Sequence, residues 1–447
     1  MKKAILLPLK FSLLIMFGSI FIYIFGPIRW IKNTDIIGYM TVGLILIYFI
    51  AFGLGYLLRI GHKEKIIVNE TKILLNETKV LNMLKYTIYI NFILTVLLAL
   101  IYTNATSVPE LFNKMVNGLI SPSDAYYTKD ATSRSGSIVV WISLIYSPWM
   151  YITKVCGLCL FKELSLRQKI VYVMSVFAEI MRWLAIGTNK GLFDIVILFL
   201  FAYLYLQMKL FYNNNYYEIR KMKKTVHEIF ITSSVLILGF FSFFSMAISS
   251  RVGGNYNQNY FQKLPYKLIP INFRFLIEKV DDYLTQGYAY FTEIIRHCNF
   301  KWTFGVGNSR FLMSIVDSIF GIDLTSRTYP YQLEAYGIDP LACWHTAYAW
   351  FASDFTFIGV AVFMFLVGYY MCGLVKDVIK KNDFIAITLL YMVILSVVNA
   401  SCTNYILAYS GSFIPFVCLF LYRLCKNKKI GIIKKKKIVI NIKKIKI

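Results

Sequence analysis

Charged side chains stand inside stretches of this sequence that are otherwise apolar. Glu179 and Arg182 are three residues apart, Lys190 and Asp194 are four apart, and Asp354 lies alone in a further apolar run. A charge at membrane depth is costly and normally faces the interior of a helix bundle or a water-filled cavity. We therefore predict that these residues line a polar pocket. The alternative is that the local pairs are structural salt bridges.

The segment CWHTAYAWFASDF, residues 343–355, places a histidine at the mouth of an apolar run and an aspartate nine residues further in. Histidine is a natural general base near neutral pH, although a single one at a helix mouth is more often interfacial. On a helix, this spacing turns His345 and Asp354 to opposite faces, about 13 Å apart in depth, so they cannot form a catalytic dyad. Small residues that favour close helix packing lie below His345 on its own face: Ala349, Ala352, Thr356 and Gly359.

The elements that must hold these residues are membrane helices. Of the 447 residues, 58% are hydrophobic, and the mean hydropathy is +0.59. Apolar runs of about 20 residues, the length needed to cross a hydrocarbon core, recur along the chain. We predict an all-α polytopic membrane protein with about ten transmembrane helices, at residues 5–26, 36–58, 86–103, 138–160, 168–187, 191–210, 228–248, 346–372, 384–400 and 403–424.

The net charge of +25 follows the membrane topology. Of the 48 Lys and Arg residues, 31 lie in or next to the segments on the side of the N-terminus, and 15 lie on the opposite side. Cytoplasmic segments carry an excess of Lys and Arg, so we predict that both termini are cytoplasmic. The basic charge therefore indicates orientation in a lipid bilayer and argues against nucleic-acid binding.

The predicted spans divide the chain into four parts. Residues 1–248 form a bundle of spans one to seven, residues 249–345 a large outer loop of short helices, residues 346–425 spans eight to ten, and residues 426–447 a basic cytoplasmic tail. Long loops such as residues 249–345 are usually functional.

The cysteines do not form a recognisable metal site. Cys156 and Cys159 form a C-x-x-C inside a span, without a second pair or a histidine nearby, so no metal site is predicted.

Four segments near the end of the loop carry a recognisable pattern. They read YLTQGYAYF (283–291), WTFGVGNSRF (302–311), SRTYP (326–330) and WHTAYAWFASDFTFIG (344–359). Together they resemble the outer-loop signature of oligosaccharide repeat unit polymerases, the Wzy-type O-antigen polymerases, and SSRVGG (249–254) is similar as well. The motifs cover roughly 110 residues, and the ten-span layout with one dominant outer loop extends the resemblance over the chain.

The resemblance implies a glycosyltransferase of the bacterial inner membrane, acting on undecaprenyl-diphosphate-linked oligosaccharides at the periplasmic face. A growing chain would be transferred onto the non-reducing end of an incoming lipid-linked repeat unit, with release of undecaprenyl diphosphate, to build O-antigen or capsular polysaccharide. No nucleotide sugar, metal or cofactor is expected. The implied partners are the lipid-linked oligosaccharides, the bilayer and a polysaccharide chain-length regulator.

That chemistry requires positive charge at the leaving diphosphate and a base at the acceptor hydroxyl. His345 is the predicted base, with Asp354 as its rival. Because guanidinium groups match phosphate oxygens, the predicted diphosphate ligands are Arg251, Arg310 and Arg327 in the loop, with Arg182 below them. Aromatic side chains that could stack on a glycan, or else anchor the protein at the membrane interface, are Tyr283, Tyr288, Trp302, Tyr329 and Trp344.

Two other classes of protein share parts of this pattern. An O-antigen-ligase-type or other lipid-linked glycosyltransferase would have a similar layout but a different acceptor. A lipid-linked oligosaccharide flippase or other transporter would favour more spans, short loops and charges through the full depth of the membrane. The outward bias of the embedded charges and the size of the outer loop favour the polymerase.

Overall fold

The computed structural model describes residues 2–31, 34–61, 70–128, 137–212 and 216–426. Within these ranges the protein is helical and contains no β-strand, as predicted. The predicted basic tail lies outside the described residues, except for Lys426.

Sixteen α-helices, numbered in chain order, make up the described part of the chain. The first half contains α1 Lys2–Phe25, α2 Ile36–Gly61, α3 Glu70–Thr103, α4 Val108–Ile120, α5 Pro122–Thr128, α6 Ile138–Cys159, α7 Leu166–Ala185 and α8 Lys190–Tyr212. The second half contains α9 Tyr216–Val252, α10 Ile271–His297, α11 Arg310–Phe320, α12 Tyr329–Gln332, α13 Ala347–Lys381, α14 Phe384–Asn399, α15 Tyr405–Ala408 and α16 410–426.

Seven of the described helices are long and apolar enough to cross a membrane. They are α1, α2, α6, α8 and α13, together with the Glu77–Thr103 part of α3 and the Met222–Val252 part of α9. The remaining predicted spans also coincide with helices, namely α7, the 16-residue α14, and α15 with α16. The chain is therefore an all-α polytopic membrane protein, and the count of ten spans stays a prediction.

Helices α2 and α13 cross with their backbones in direct contact. A Cβ atom built on Gly55 would lie 2.0 Å from the carbonyl oxygen of Phe365, and one on Gly368 would lie 2.0 Å from that of Phe52. Small residues allow membrane helices to approach closely enough for such contacts. The two glycines therefore set the distance between these helices.

The prediction that residues 249–345 fold into short helices is wrong for α10, which is 27 residues long. Its buried polar stripe finds partners on α1 and on the turn after it, so one long amphipathic helix is stable against the bundle. The Tyr288 hydroxyl lies 2.8 Å from that of Ser19, and the backbone N–H of Ile28 donates to Asp281 at 2.8 Å.

Helix α13 is broken at Thr356, which adopts φ 64° and ψ 168°. The predicted stripe of small residues therefore holds only above the break, where Ala349 and Ala352 are fully buried. Thr356 is exposed and Gly359 is half-buried, because the change in backbone direction turns them off the face of the first segment. Helix α9 also departs from the prediction, since it continues past residue 248 and carries Arg251 in its last turn.

The contact between α2 and α13 gives a matched pair of substitutions. Gly55→Ala should destabilise the protein by about 1–3 kcal/mol, because even a methyl group overlaps the Phe365 carbonyl. Gly53 lies two residues earlier on α2, and the space around its Cβ position is open. Gly53→Ala should therefore be neutral or stabilising. Thermal unfolding of the purified protein in detergent measures both. Equal midpoints for the two variants would contradict the close crossing.

Candidate functional site

A cavity of about 300 Å³, named here the polar cavity, lies between α3, α6, α7, α8 and the 405–412 segment. Glu179, Arg182, Lys190 and Asp194 line it, which confirms the predicted pocket for four of its five residues. The fifth residue, Asp354, does not line this cavity. Further polar lining comes from Lys154, Tyr102, Tyr151, Tyr405, Tyr409, Ser410 and Ser412.

The local sequence of α7 and α8 explains why their charges meet. Residues at i, i+3 and i, i+4 share one face of a helix, which applies to Glu179 with Arg182 and to Lys190 with Asp194. The turn between the helices contains Gly187 at φ 61°, a conformation that favours glycine. A Cβ at Gly187 would lie 2.4 Å from the carbonyl oxygen of Pro122, so the turn packs directly on the start of α5.

The charges of the polar cavity are only partly neutralised by one another. The Glu179 carboxylate forms a salt bridge with Lys154 of α6, with Nζ and Oε1 2.8 Å apart. Its closest charged partner is therefore Lys154 and not Arg182, the partner in the local pair considered from the sequence. The Arg182 guanidinium lies 4.6 Å from the ring centroid of Trp183 and 5.6 Å from that of Tyr102. Its buried Nε has no hydrogen-bond partner within the described residues. An anion entering the cavity could accept that hydrogen bond.

Lys190 and Asp194 meet two tyrosines from the chain that follows α14. The Lys190 ammonium lies 3.8 Å from the ring centroid of Tyr409 and 4.8 Å from that of Tyr405. The Tyr405 hydroxyl donates a hydrogen bond to Oδ2 of Asp194. The cavity thus contains three cations and two carboxylates, with aromatic faces beside the cations.

A second cavity of about 470 Å³, the adjoining cavity, lies between the end of α3, α4, α5 and the end of α7. It shares Tyr102 with the polar cavity. Its polar lining consists of hydroxyl, amide, ammonium and carboxylate groups, a mixture that suits the hydroxyl groups of a saccharide. The residues are Thr103, Asn104, Lys114, Asn117, Ser121, Asp124 and Thr128.

Three predicted residues gather near the turn between α7 and α8. Arg251 donates a hydrogen bond to the carbonyl oxygen of Gly187, and its guanidinium lies 4.0 Å from the ring centroid of Tyr126. Tyr283 interacts electrostatically with Arg251 and packs against Trp344, with ring centroids 5.6 Å apart. Arg251, Tyr283 and Trp344 therefore form one cluster beside the two cavities.

Asp354 holds the 303–308 loop. Its Oδ1 accepts from Gly307 N–H at 3.2 Å and from the Thr303 hydroxyl, and its Oδ2 accepts from Asn308 N–H at 2.9 Å and from the Asn308 side-chain amide. A carboxylate with four donors is committed to its neighbours. The geometry thus gives Asp354 an anchoring role and counts against its predicted role as a base.

The loop that Asp354 anchors presents Trp302 on its surface. Trp302 is 58% exposed, and its ring centroid lies 4.8 Å from that of Phe304. Arg327 lies over the same Phe304 ring at 5.9 Å, while Arg310 lies over Trp350 at 5.0 Å and donates to the carbonyl oxygen of Pro340. Arg310 and Arg327 line neither the polar nor the adjoining cavity, so the structure does not bring the four predicted arginines together.

His345 is buried, 3% exposed, two residues before the first residue of α13. Its ring packs against Tyr290, with centroids 5.6 Å apart, and neither ring nitrogen has a hydrogen-bond partner within the described residues. Burial, and then the positive charge of Arg310, lower the pKa of His345 to about 4. His345 lines neither cavity, so its predicted role as a base stays a prediction without a substrate path beside it.

Two of the predicted glycan-stacking residues lie in the hydrophobic core. Tyr288 is 1% exposed, and Tyr329 is 3% exposed with its ring stacked on Phe357 at 5.2 Å. Neither ring offers a face to a ligand in this conformation. The side chains that bury them belong to α1 and α13, and the sequence around Tyr288 and Tyr329 does not show these contacts.

Sequence reasoning missed several residues of the two cavities. Lys154 carried a usable signal, because a lysine inside an apolar span requires a polar partner. Tyr405 and Tyr409 carried none, since tyrosines are frequent throughout this chain. Asn117 and Asp124 stand in the connection between predicted spans three and four, residues 104–137, and become cavity residues only because α4 and α5 pack on the end of α7.

Comparison with known proteins does not identify the chain: no family model, no curated protein and no solved structure matches it. Within the described residues, no group of three or more His, Cys, Asp and Glu side chains could hold a metal ion.

The anchoring role of Asp354 can be tested by protease digestion. Asp354→Ala should free the 303–308 loop, because four hydrogen bonds are lost together. Limited proteolysis should then cut near Phe304 faster than it does in the wild-type protein. Asp317→Ala, on the exposed face of α11, is the control and should leave the digestion pattern unchanged. An unchanged pattern in Asp354→Ala as well would contradict the anchoring role.

The buried His345 predicts a loss of stability in acid. Its pKa is about 4 in the folded protein and near 6.5 when unfolded, so below pH 6.5 the unfolded chain binds more protons. Stability should fall between pH 6.5 and pH 4, by about 2 kcal/mol at pH 5. His345→Phe should remove that part of the pH dependence. The measurement is thermal unfolding at pH 7.5 and pH 5, and an identical pH dependence in both proteins would refute the assignment.

Proposed function

We propose that this protein is a polymerase that joins polyprenyl-diphosphate-linked oligosaccharide repeat units into a bacterial surface polysaccharide, O-antigen or capsule. The observation that carries the proposal is the junction of two cavities at Tyr102: one holds a surplus of cations, and the other is lined by hydroxyl and amide groups. A lipid-linked glycan presents the matching pair of chemistries, a diphosphate directly bonded to a saccharide. The sequence motifs of residues 283–359 point to the same substrate.

In this proposal the diphosphate of the donor lies in the polar cavity. Arg182 has an unsatisfied Nε–H there, and Lys190 supplies an ammonium group held between two tyrosine rings. Arg251 adds a guanidinium at the turn that joins α7 to α8. As the glycosidic bond breaks, negative charge grows on the diphosphate, and fixed positive charge in a site of low dielectric constant stabilises that transition state.

The saccharide of the lipid-linked unit lies in the adjoining cavity. Asn117, Asp124 and Ser121 provide the acceptors and donors that sugar hydroxyls require. Tyr283 and Trp344, which pack on each other beside Arg251, provide aromatic faces of the kind that sugars stack against. Tyr102 stands between the saccharide and the diphosphate.

The proposed orientation follows the distribution of Lys and Arg. With both termini in the cytoplasm and ten spans, the turn at Gly187 and residues 249–345 face the periplasm of the inner membrane. The two cavities then open on the side where lipid-linked repeat units are polymerised. The alternatives are a ligase-type transferase, which would pass the glycan to another acceptor, and a transporter, which would move the lipid without changing it.

The test uses purified protein and lipid-linked repeat units extracted from a strain lacking this gene. A ladder of multimers on a gel is the expected product. Arg182→Gln and Lys190→Gln should each slow elongation about 100-fold, because each removes charge from the transition state. Arg167→Gln, exposed at the opposite end of α7, is the matched control and should elongate normally.

Three results would overturn the proposal. Folded protein that leaves the lipid-linked units unextended is one of them. Transfer of a glycan to a different lipid without a ladder would support the ligase-type alternative. Movement of intact units across a vesicle membrane without elongation would support a transporter.

A further inference from the structure

Asp194 has the geometry of a carboxylate that is oriented for a reaction. Its Oδ2 accepts a hydrogen bond from the Tyr405 hydroxyl, and its backbone carbonyl oxygen accepts one from Tyr391 at 3.4 Å. Its Oδ1 is buried and has no hydrogen-bond partner within the described residues. A buried acceptor without a donor costs free energy, so its persistence at a cavity wall points to a ligand group that supplies the missing proton.

The charges around Asp194 come from its own helix α8 and from α6 and α7. Lys190 lies one turn earlier on α8, Arg182 and Glu179 come from α7, and Lys154 comes from α6. Lys190 and Lys154 are the cations that interact electrostatically with Asp194, and Lys154 is also paired with Glu179. Arg182 lines the same cavity. The phenols that face the same space are Tyr151, Tyr391, Tyr405 and Tyr409.

The other acidic candidates are less suitable as a base. Asp354 already accepts four hydrogen bonds from the 303–308 loop. Glu179 is held by Lys154 at 2.8 Å. Asp124 is exposed in the adjoining cavity, away from the cations that would hold a diphosphate. Asp194 alone among these combines an unsatisfied oxygen with a position beside Lys190, in the cavity that Arg182 also lines.

We propose that Asp194 is the catalytic base of the glycosyl transfer and that the acceptor is a sugar hydroxyl bound against its Oδ1. This inference rests on the proposed function. The acceptor oxygen forms a bond to the anomeric carbon of the donor while the bond from that carbon to the diphosphate oxygen breaks, and the electron pair leaves with the diphosphate. The hydroxyl proton passes to Oδ1 of Asp194 and is released to water after the product leaves.

Tyr405 is a positioning residue in this scheme. Its hydroxyl holds Oδ2, so Oδ1 is the atom left to face the acceptor. The donor diphosphate, held by Arg182 and Lys190, lies within the same cavity, which brings the base and the leaving group to one reacting centre. A second base from the 249–345 region is then unnecessary, and His345 can remain a buried neutral side chain.

The experiment measures elongation of lipid-linked repeat units by the full-length protein. Asp194→Asn should lower kcat by about 10²- to 10⁴-fold, the usual contribution of a general base, with KM for the lipid-linked unit nearly unchanged. Asp194→Ala should be as slow, and sodium formate should restore part of its activity by placing an external carboxylate in the cavity. Asp317→Asn makes the same chemical change on the exposed face of α11 and should keep the wild-type kcat.

Tyr405→Phe separates positioning from folding. It should lower kcat less than Asp194→Asn does, and formate should not rescue it, because the carboxylate is still present. If the wild-type protein elongates and Asp194→Asn keeps its kcat, or if formate fails to restore folded Asp194→Ala, the base assignment is overturned. If the wild-type protein does not elongate at all, it is the proposed function that fails.

Discussion

The ion pair between Lys154 and Glu179 is the interaction on which the interior of this helix bundle depends. Two unit charges removed from water carry a large desolvation penalty, and a contact of 2.8 Å between them offsets part of it. The pair joins α6 to α7, and Arg182, Lys190 and Asp194 line the same cavity. Helix α7 therefore cannot be an ordinary lipid-facing span. It has to turn its charged face toward a polar cavity, and α3, α8 and the 405–412 segment close around that cavity.

The need of buried polar groups for partners also organises the long segment between α9 and α13. Hydrogen bonds attach it to the bundle at several points: Asp281 holds the turn after α1, Tyr288 meets Ser19, and Asp354 of α13 holds the 303–308 loop. A segment attached at several points has a defined position against the bundle. That position brings Tyr283 and Trp344 beside Arg251, although they lie far from it in the sequence.

Close packing supplies the rigid side of the molecule. Helices α2 and α13 touch through Gly55 and Gly368. In the first part of α13, Ala349 and Ala352 are fully buried. The break at Thr356 then lets the lower part of α13 take a different direction, with the Phe357 carbonyl accepting a hydrogen bond from Tyr48 at 2.9 Å. The loop that Asp354 anchors is thus attached directly above a backbone distortion. One rigid crossing and one break together determine where residues 344–354 lie.

The sequence by itself determined the long apolar helices, their approximate ends, and four of the charges that share a polar pocket. These features depend on apolar length, on residue periodicity and on the cost of an embedded charge, all of which are local properties. Glu179, Arg182, Lys190 and Asp194 were found in this way.

The partners of individual side chains were decided only by the tertiary structure. Tyr405 reaches Asp194 across 211 residues, and Asp354 meets a loop 46 residues earlier, so spacing along the chain carries no record of either contact. His345 is the clearest case: its position at a helix mouth suggested a base from the sequence, but the helices packed around it bury the ring away from both cavities.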